Sequence, residues 1–442
     1  MKIVVVGHGM VGHKFLESLA EAGLQNAEVT VLCEEPRPAY DRVHLSEFFA
    51  GKSAEDLSVV EPGFFERTGF TLRLAARAVA IERRDRTVTT ADGEVLPYDK
   101  LVLATGSTPF VPPIPGLKET GFLTSDTVWG LTELPRRLVV LGGGPIGCEL
   151  AQAFARLGAQ VTQVEMAPRI MLREDAEVSA LAQASLAADG VAVLTGHKAL
   201  RCELVDGEKI LVVEHEGAEK RIPFDQLICA VGRVARLKGY GLEELGIPTN
   251  KTVETNQYLQ TIYPNIYAAG DVAGPYQFTH VAAHQAWYAA VNALFGEWKL
   301  FKADYSVIPW TTFIDPEVAR VGLNEQEARE KGVPFEVTTY GIDDLDRAIA
   351  DSEAHGFVKV LTVPGKDTIL GVTIVGTHAG DLLAEYVLAM KHGLGLNKVL
   401  GTIHTYPTLA EANKYAAGEW KRAHQPHRLL AWVKKYHDWR RG

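Results

Sequence analysis

The chain has 442 residues, 47% of them hydrophobic and 23% charged, which is typical of a globular protein of about two to four domains. Its formal net charge of -10 argues against nucleic acid as the main partner. The four cysteines, Cys33, Cys148, Cys202 and Cys229, are scattered and form neither a zinc-binding spacing nor a disulfide framework. We therefore predict a reducing, cytoplasmic compartment. The apolar run Ile3–Val6 is too short for a signal peptide or a membrane span.

The first predicted unit is a dinucleotide-binding pattern. A buried parallel strand over Ile3–Val6 is followed by a helix over about Met10–Ala22 and by a second strand over Glu28–Cys33 that leads to Glu34. Between the first strand and the helix lies G-x-G-x-x-G, formed by Gly7, Gly9 and Gly12. Such glycines make the turn, let a pyrophosphate approach the backbone and let helix and strand pack closely. Glu34 is placed to accept hydrogen bonds from ribose hydroxyls.

The same pattern returns near the middle of the chain as LVVLGGGPIGCELAQAFARLG, followed by QVTQVE. Its glycines are Gly142, Gly144 and Gly147, and its ribose acid is Glu165. Two complete strand–loop–helix–strand–acid units are a far more specific signal than one. Because Glu165 would repel a 2′-phosphate and no basic residue follows before Arg169, the sequence favours NADH over NADPH.

Each glycine motif is followed, further along the chain, by one more segment with a recognisable pattern. Residues 101–106, LVLATG, predict an apolar strand that ends in a turn of small residues. Residues 262–272, IYPNIYAAGDV, predict another strand that ends at Gly270 and Asp271, and a helix-like run covers roughly Thr279–Phe295.

The four motifs GHGMVG, LVLATG, GGGPIG and YAAGDV, in this order, resemble the flavoprotein disulfide reductases and their relatives. This resemblance implies an α/β fold with two Rossmann-like dinucleotide-binding domains and a C-terminal α+β dimerisation domain. It implies FAD at the first site and a nicotinamide nucleotide at the second. Asp271 would hold a ribityl hydroxyl of the flavin, or alternatively cap the following helix, whose positive end would face the flavin. The candidate cofactor-binding residues also include Thr105, Gly106, Gly232 and Gly270.

The segment RPAYDRVHLSEFF, residues 37–49, stands where disulfide-reducing relatives carry C-x-x-x-x-C. It resembles the flavin domain of the nitrite reductase large subunit, whereas the later two thirds of the chain resemble dihydrolipoamide dehydrogenase and mercuric reductase. The resemblance places Arg42 near the flavin or its pyrophosphate, although it could equally pair with Asp41 or Glu47 at the surface. His44 is a candidate for the acceptor side of the flavin, with a structural role as the alternative.

Many relatives have a lysine where this chain has Glu47, paired with a glutamate that corresponds to Glu149. Without that lysine, Glu149 could contact the nicotinamide or only support helix packing. Cys33, directly before Glu34, is expected to be a buried small side chain and not a redox thiol.

The run IHTYPTLAEANKYAAGEW, residues 403–420, resembles the part of the dimerisation domain that supplies an acid–base histidine to the partner subunit. Here Tyr406 precedes Pro407 in place of that histidine, Glu411 matches the accompanying glutamate, and His404 lies two residues too early. A phenol is a poor general base at neutral pH but a good hydrogen-bond donor. Tyr406 therefore has a role over the partner's flavin or packs at the dimer interface.

The resemblance and the sequence pattern together divide the chain. The predicted parts are an FAD-binding domain (1–121 and 240–308), an NAD(P)-binding domain (122–239), a dimerisation domain (309–419) and a basic amphipathic helix (420–442). The last segment has seven Lys or Arg against one Asp. It could contact an anionic membrane weakly or dock on the acidic dimer.

We expect a homodimeric FAD enzyme that takes hydride from NADH and passes electrons directly to an external acceptor, which is oxygen, a quinone, a metal ion or a redox protein. One alternative is an oxidoreductase of the dihydrolipoamide dehydrogenase or mercuric reductase type, and the absent cysteine pair argues against it. The other is a flavin-binding redox sensor with little turnover, which would not need the second glycine motif.

Overall fold

The computed structural model describes residues 1–23, 27–42, 52–53 and 55–442. The chain forms two compact units. The first comprises Met1–Pro113, Phe122–Leu134 and Ile228–Tyr305, and the second comprises Ile114–Gly121, Pro135–Leu227 and Ser306–Gly442. The domain boundaries drawn from the sequence stay a prediction.

The elements are numbered in chain order. The strands are β1 (Lys2–Val6), β2 (Glu28–Leu32), β3 (Thr71–Arg73), β4 (Ala78–Glu82), β5 (Thr87–Thr90), β6 (Val95–Pro97), β7 (Lys100–Leu103), β8 (Ser107–Pro109), β9 (Leu123–Thr124), β10 (Arg137–Leu141), β11 (Gln160–Val164), β12 (Ala192–Leu194), β13 (Lys198–Val205), β14 (Glu208–His215), β15 (Ala218–Phe224), β16 (Gln226–Cys229), β17 (Arg233–Ala235), β18 (Ile266–Ala268), β19 (Pro309–Thr312), β20 (Glu317–Gly322), β21 (Glu336–Gly341), β22 (Phe357–Thr362) and β23 (Ile369–Gly376). The helices are α1 (Met10–Glu21), α2 (Phe64–Thr68), α3 (Leu117–Thr120), α4 (Pro145–Arg156), α5 (Ala176–Ala188), α6 (Thr279–Phe295), α7 (Glu325–Glu330), α8 (Asp346–Ala350), α9 (Ala379–Lys391), α10 (Leu396–Gly401), α11 (Glu411–Ala423) and α12 (His427–Arg441).

The first unit is built on a parallel sheet with strand order β18-β7-β1-β2-β3. Val6 pairs with Leu32 on one side and with Leu103 on the other, so the carboxyl ends of β1, β2 and β7 meet at one edge. Both faces of β1 are buried, as its continuous apolar run predicts. Ile3 and Val5 pack on the side of α1 and α6, and Val4 and Val6 pack toward the antiparallel sheet β4-β5-β6.

Helix α6 lies against α1 because its contact side consists of small residues, Ala286, Ala289, Ala290 and Ala293. These alanines let the two helices approach closely while the larger side chains of α1 fill the space above the sheet. The arrangement brings both helix N-termini to the side of the sheet where β1 and β7 end, because each helix follows a strand of that sheet.

The second unit contains a parallel arrangement β12-β11-β10 with α4, the antiparallel sheet β13-β14-β15 and a five-stranded antiparallel sheet β19-β20-β23-β22-β21. Helices α9 and α11 pack on the five-stranded sheet, and their buried Tyr386, Ala416 and Trp420 join Val358, Val360 and Ile374 in one core. None of the helices in the described part of the chain combines the length and apolar character that a membrane-spanning segment needs.

An arginine lies in the interior of the second unit. Arg320 on β20 is 1% exposed, and its guanidinium is 2.9 Å from a carboxylate oxygen of Glu174 and 2.9 Å from one of Glu327. It also lies over the Trp310 ring, with the guanidinium carbon 4.3 Å from the ring centroid. Burial raises the pKa of Glu174, while Arg320 opposes that rise.

Replacing Arg320 by Met should destabilise the protein by about 3 kcal/mol, because it leaves a buried carboxylate without its cation. A lower midpoint of urea-induced unfolding is the expected result. The control is Arg422→Met, which removes an exposed arginine paired with Glu419 at 2.7 Å and should cost less than about 1 kcal/mol. Equal effects of the two substitutions would contradict the structural role of Arg320.

Candidate functional site

A cavity of about 830 Å³ opens in the first unit at the edge where β1, β2 and β7 end. Its walls include several residues that the sequence assigned to the first cofactor: Gly7, Gly9, Glu34, Arg42, Thr105, Gly106 and Asp271. Its volume lies in the range of about 300–1,000 Å³ found for small-molecule and cofactor sites. Sequence positions far apart in the chain therefore converge on one concave surface.

Two glycines of the first motif are needed because a larger side chain would not fit, and one of them also because of its backbone conformation. Gly7 has a φ of +109°, and a Cβ added there would lie 2.3 Å from the Ala104 carbonyl oxygen. A Cβ added at Gly12 would lie 2.2 Å from the Gly7 carbonyl oxygen. By contrast, a Cβ at Gly9 would have no atom of the protein within 4 Å. Gly7 and Gly12 thus permit packing, whereas the backbone at Gly9 is left open toward the cavity.

Gly12, Gly232 and Gly270 do not line the cavity but hold its wall in place. Gly270, with a φ of +82°, donates its N–H to the buried amide oxygen of Gln285 at 2.6 Å. The Gly232 carbonyl accepts a hydrogen bond from Phe110 at 2.9 Å.

Glu34 faces two arginines of the first unit. A carboxylate oxygen of Glu34 lies 3.0 Å from Arg236, and the other lies 3.8 Å from Arg77. Arg236 is itself tied to the turn after β7, because Gly106 accepts its backbone N–H at 3.0 Å and the Thr105 hydroxyl donates to its carbonyl at 3.3 Å. Arg236, held in place by this turn, therefore orients the Glu34 carboxylate at the end of β2.

Asp271 belongs to a hydrogen-bonded chain that the sequence did not predict. The Ser107 hydroxyl donates to Asp271 at 2.6 Å and receives a hydrogen bond from Arg233 at 2.9 Å. Arg233 also binds Asp126 at 3.0 Å. Charge-assisted hydrogen bonds of this kind fix a carboxylate more firmly than neutral ones do. The chain holds Asp271 at the cavity wall.

Asp271 does not cap a helix, so that alternative is wrong: α6 begins only at Thr279, after Phe278. The first turn of α6 nevertheless reaches the cavity, since Thr279, Ala282 and Ala283 line it. The positive end of the helix dipole therefore lies at the cavity and would favour negative charge there.

Arg42 lines the same cavity, and its guanidinium lies 2.6 Å from a carboxylate oxygen of Glu35. Its guanidinium also lies 3.8 Å from Asp126 and over the Tyr40 ring at 4.9 Å. Glu47, the other predicted surface partner of Arg42, and the candidate His44 lie outside the described residues.

The second glycine motif repeats the geometry of the first in the second unit. Gly142 has a φ of +117°, and a Cβ at Gly147 would lie 2.2 Å from the Gly142 carbonyl oxygen. A Cβ at Gly144 would meet no atom of the protein within 4 Å. Glu165 accepts hydrogen bonds from the backbone N–H groups of Gly143 at 2.5 Å and Ala167 at 2.7 Å. Its carboxylate therefore lies beside the glycine loop.

The nearest basic residue after Glu165 is committed to other partners. The Arg169 guanidinium donates to the carbonyl of Glu174 at 2.6 Å, to that of Leu172 at 3.0 Å and to the Gln326 side chain at 2.7 Å. The guanidinium of this arginine therefore stabilises a loop, and these donors are already used in hydrogen bonds within the protein.

Glu149 on α4 accepts the backbone N–H of Phe313 at 2.7 Å, and burial raises the pKa of its carboxyl. One turn further on, the buried Gln152 accepts the N–H of Asp315 at 2.7 Å. Both side chains thus bind the segment after β19, which is the packing role that the sequence left open for Glu149.

The three candidates of the segment 403–420 belong to the second unit. Each of them has a hydrogen-bond or ion-pair partner within that unit. Tyr406 is 66% exposed and donates to Asp346 at 2.8 Å, and that carboxylate raises the pKa of the phenol. Glu411 is buried and accepts from the Tyr415 hydroxyl at 3.2 Å. His404 lies 2.9 Å from Glu385, which also accepts from Asn413 at 2.9 Å.

All four cysteines are buried free thiols. Burial raises the pKa of each thiol, to about 12 for Cys148 and to about 11 for Cys229. Cys33 lines the cavity, where its thiol points to the Arg37 carbonyl at 3.5 Å. A thiol that stays protonated at neutral pH is a poor nucleophile.

Sequence reasoning missed Ser107, Arg233 and Arg236, which orient the acids of the cavity. The only sequence signal for Arg233 is its position directly after Gly232. Nothing in the spacing of these residues predicts their partners, because the pairs form between segments more than a hundred residues apart.

Comparison with known proteins agrees with this geometry. The family model described as pyridine nucleotide-disulphide oxidoreductase matches residues 1–286, and the dimerisation domain of that family matches residues 308–417. A mercuric reductase of Staphylococcus aureus is 36% identical over 335 residues, which are 75% of this chain and 61% of that protein. A dihydrolipoyl dehydrogenase of Thermus scotoductus is 36% identical over 337 residues, which are 74% of this chain and 71% of that protein.

Solved structures share the fold at lower identity. The HOCl-induced flavoprotein disulfide reductase RclA of Escherichia coli has a TM-score of 0.82 and 24% identity, with 95% of this chain and 99% of that chain covered. An NAD-dependent persulfide reductase of A. fulgidus has a TM-score of 0.83 and 23% identity, with 95% and 82% covered. The α/β fold with a dimerisation domain is confirmed, and the chain belongs to the pyridine nucleotide-disulphide oxidoreductase family.

Proposed function

We propose that this protein is an FAD-dependent oxidoreductase that takes hydride from NADH and delivers electrons from the flavin directly to an external acceptor. The observation that carries the proposal is the state of the cysteines. The chain has no C-x-x-x-x-C pair, and its four thiols are buried, separate and high in pKa. A sulfur relay between flavin and substrate therefore has no residues to use.

Four features of the cavity in the first unit fit FAD. The backbone at Gly9 is open where a pyrophosphate would approach, and Glu34 is held in place to accept ribose hydroxyls. Asp271 is oriented by Ser107 and Arg233, so that its second oxygen remains available for a ribityl hydroxyl. The first turn of α6 favours the negative charge that a reduced flavin carries.

NADH fits the second glycine motif for complementary reasons. Gly144 leaves the loop open, and Glu165 lies beside it as the acceptor for a ribose diol. A 2′-phosphate would meet this carboxylate and would find Arg169 already bound to carbonyl groups. The charge at this position thus favours NADH over NADPH.

FAD would supply the redox chemistry, since it accepts a hydride and releases electrons to a second reactant. The protein would supply orientation and charge. Arg42 lines the cavity and would lie near the cofactor, with its guanidinium oriented by Glu35. No protein base is required for hydride transfer itself, so the absence of a histidine before Pro407 is compatible with turnover.

The acceptor belongs to the classes that react with reduced flavin without a thiol: oxygen, a quinone, a metal ion or a redox protein. The alternative is a dithiol–disulfide oxidoreductase, and the similarity to mercuric reductase and dihydrolipoyl dehydrogenase favours it. The chain, however, lacks the C-x-x-x-x-C pair that such an activity needs. The dimerisation domain at 308–417 indicates a homodimer. In such a dimer Tyr406, exposed on its own subunit, would face the partner as a hydrogen-bond donor or as an interface residue.

Replacing Cys33 by Ala should leave the rate of NADH oxidation with ferricyanide or a soluble quinone within about twofold, because the thiol takes no part in electron transfer. Lipoamide and glutathione disulfide should be poor acceptors for both forms. Cys33 is the cysteine that lines the cavity, and Cys202→Ala serves as the matched control. Rapid lipoamide reduction that disappears in the Cys33 variant would contradict the proposal, as would bound FAD without any turnover.

Replacing Glu165 by Gln should reduce the preference for NADH over NADPH, measured as the ratio of kcat/KM values, by about tenfold or more. The change removes the charge that opposes a 2′-phosphate and weakens the hydrogen bonds to the ribose. Asp206→Asn, at an exposed turn of the same unit, removes an equal charge and should leave the ratio unchanged. An unaltered ratio in the Glu165 variant would show that another residue selects the nucleotide.

Two glycine substitutions separate packing from cofactor contact. Gly7→Ala should destabilise the apoprotein by about 1–3 kcal/mol or more, since its Cβ meets the Ala104 carbonyl and its backbone is left-handed. Gly9→Ala should leave apoprotein stability within about 0.5 kcal/mol but lower FAD affinity roughly tenfold, because its Cβ has no protein atom within 4 Å and would meet the bound cofactor. Thermal unfolding of the apoprotein and fluorescence titration with FAD measure the two effects. Unimpaired FAD binding by Gly9→Ala would place the cofactor elsewhere.

A further inference from the structure

Helix α12 presents an apolar stripe that the described residues do not cover. Every residue of α12 is exposed except Val433, which is half-buried. The stripe, as we call it below, consists of the apolar and aromatic residues spaced for one side of a helix: Leu429, Leu430, Trp432, Val433, Tyr436 and Trp439. Its rings contact one another, with 6.0 Å between the centroids of Trp432 and Tyr436 and 6.1 Å between those of Tyr436 and Trp439. The helix thus holds large apolar side chains ready for an external surface.

The charge of α12 is opposite to that of the rest of the chain. The helix contains Arg428, Lys434, Lys435, Arg440 and Arg441 against the single acid Asp438, a formal charge of +4. Because the whole chain carries -10, the remainder carries -14, so a second copy of the chain is the competing occupant that the experiment below must separate from lipid. Lys434 and Lys435 lie beside the stripe, where long basic side chains can reach past apolar material to a charged boundary.

Three observations decide which surface fits this helix. The dimerisation domain of the family matches residues 308–417 and stops before α12, so this helix lies outside the part that the match assigns to the dimerisation domain. Three of the six stripe residues are Trp or Tyr, and these residues favour the boundary between water and lipid. Protein interfaces are depleted of lysine at their core, whereas five basic residues in 15 suit a layer of lipid phosphates.

We propose that α12 lies flat on an anionic phospholipid bilayer, with the stripe in the headgroup region and the basic residues on lipid phosphates. The helix has 15 residues and is too short to span a bilayer, so its contact is peripheral. Binding is reversible and sensitive to salt, because it combines limited apolar burial with electrostatic attraction. If the proposed function holds, this contact would place the protein at a membrane in which an acceptor such as a quinone is dissolved.

Vesicle sedimentation with the full-length FAD-loaded protein tests the proposal without any measurement of activity. Vesicles of phosphatidylcholine with phosphatidylglycerol should bind the protein at low salt, and vesicles of phosphatidylcholine alone should bind it weakly. Raising the salt concentration should release it. Lys434→Gln with Lys435→Gln should weaken binding roughly 25-fold, at about fivefold for each basic residue near the membrane surface.

The apolar contribution is tested by Trp432→Ala with Trp439→Ala, which should also weaken binding to anionic vesicles. Trp298→Ala is the matched control, since Trp298 is 86% exposed and lies outside α12. Lys220→Gln, at an exposed lysine of β15, is the control for charge. Circular dichroism of each variant should match that of the parent, because no residue of α12 is buried among the described residues.

Failure of the parent protein to bind anionic vesicles would overturn the proposal, as would binding that neither α12 variant weakens. Removal of residues 427–442 should leave the oligomeric state unchanged in light scattering. Conversion to a smaller species on that removal would identify a second copy of the chain as the occupant of the stripe. None of these outcomes depends on turnover, so a failure here is distinct from a failure of the proposed function.

Discussion

The first unit depends on one steric constraint: the backbone of the glycine turn must touch the end of β7. The Gly7 position leaves no room for a Cβ beside the Ala104 carbonyl, and Gly12 leaves none beside Gly7. Because helix, turn and strand are locked at this point, the open backbone at Gly9 and the acid at the end of β2 have fixed positions. The contact of Gly12 with the Gly7 carbonyl recurs between Gly147 and the Gly142 carbonyl, so the two glycine turns are packed in the same way.

Hydrogen bonds and ion pairs orient the acidic side chains that the packed glycine turns bring to the candidate sites. Each acid at the candidate sites is held by a specific donor: Glu34 by Arg236, Asp271 by Ser107 and Glu165 by the loop N–H groups. A carboxylate that is already oriented loses little conformational freedom when it binds a hydroxyl. The thiols, unlike these acids, are kept in their neutral form, because burial raises their pKa. The family's frame for binding cofactors is thus present in a chain whose sequence has no C-x-x-x-x-C pair.

The parts that local pattern determines were predictable from sequence, and the parts that depend on distant partners were not. Periodicity predicted the helix Thr279–Phe295 with the bounds that the structure has, and the glycine spacing predicted both nucleotide units. The strand predicted within 262–272 is shorter, Ile266–Ala268, because Tyr263 and Ile266 form a hydrogen-bonded turn around Pro264. The partners of Asp271 and Tyr406 required the folded chain, since the paired residues are 164 and 60 positions apart.

The most direct measurement of the central claim is an anaerobic titration of the purified FAD-loaded protein with dithionite, followed by absorbance. If the flavin is the only group that stores electrons, about one two-electron equivalent per FAD completes the reduction, and the flavin bleaches in a single phase. Uptake of about two equivalents, with a long-wavelength band from a thiolate next to oxidised flavin, would reveal a working disulfide and contradict the account.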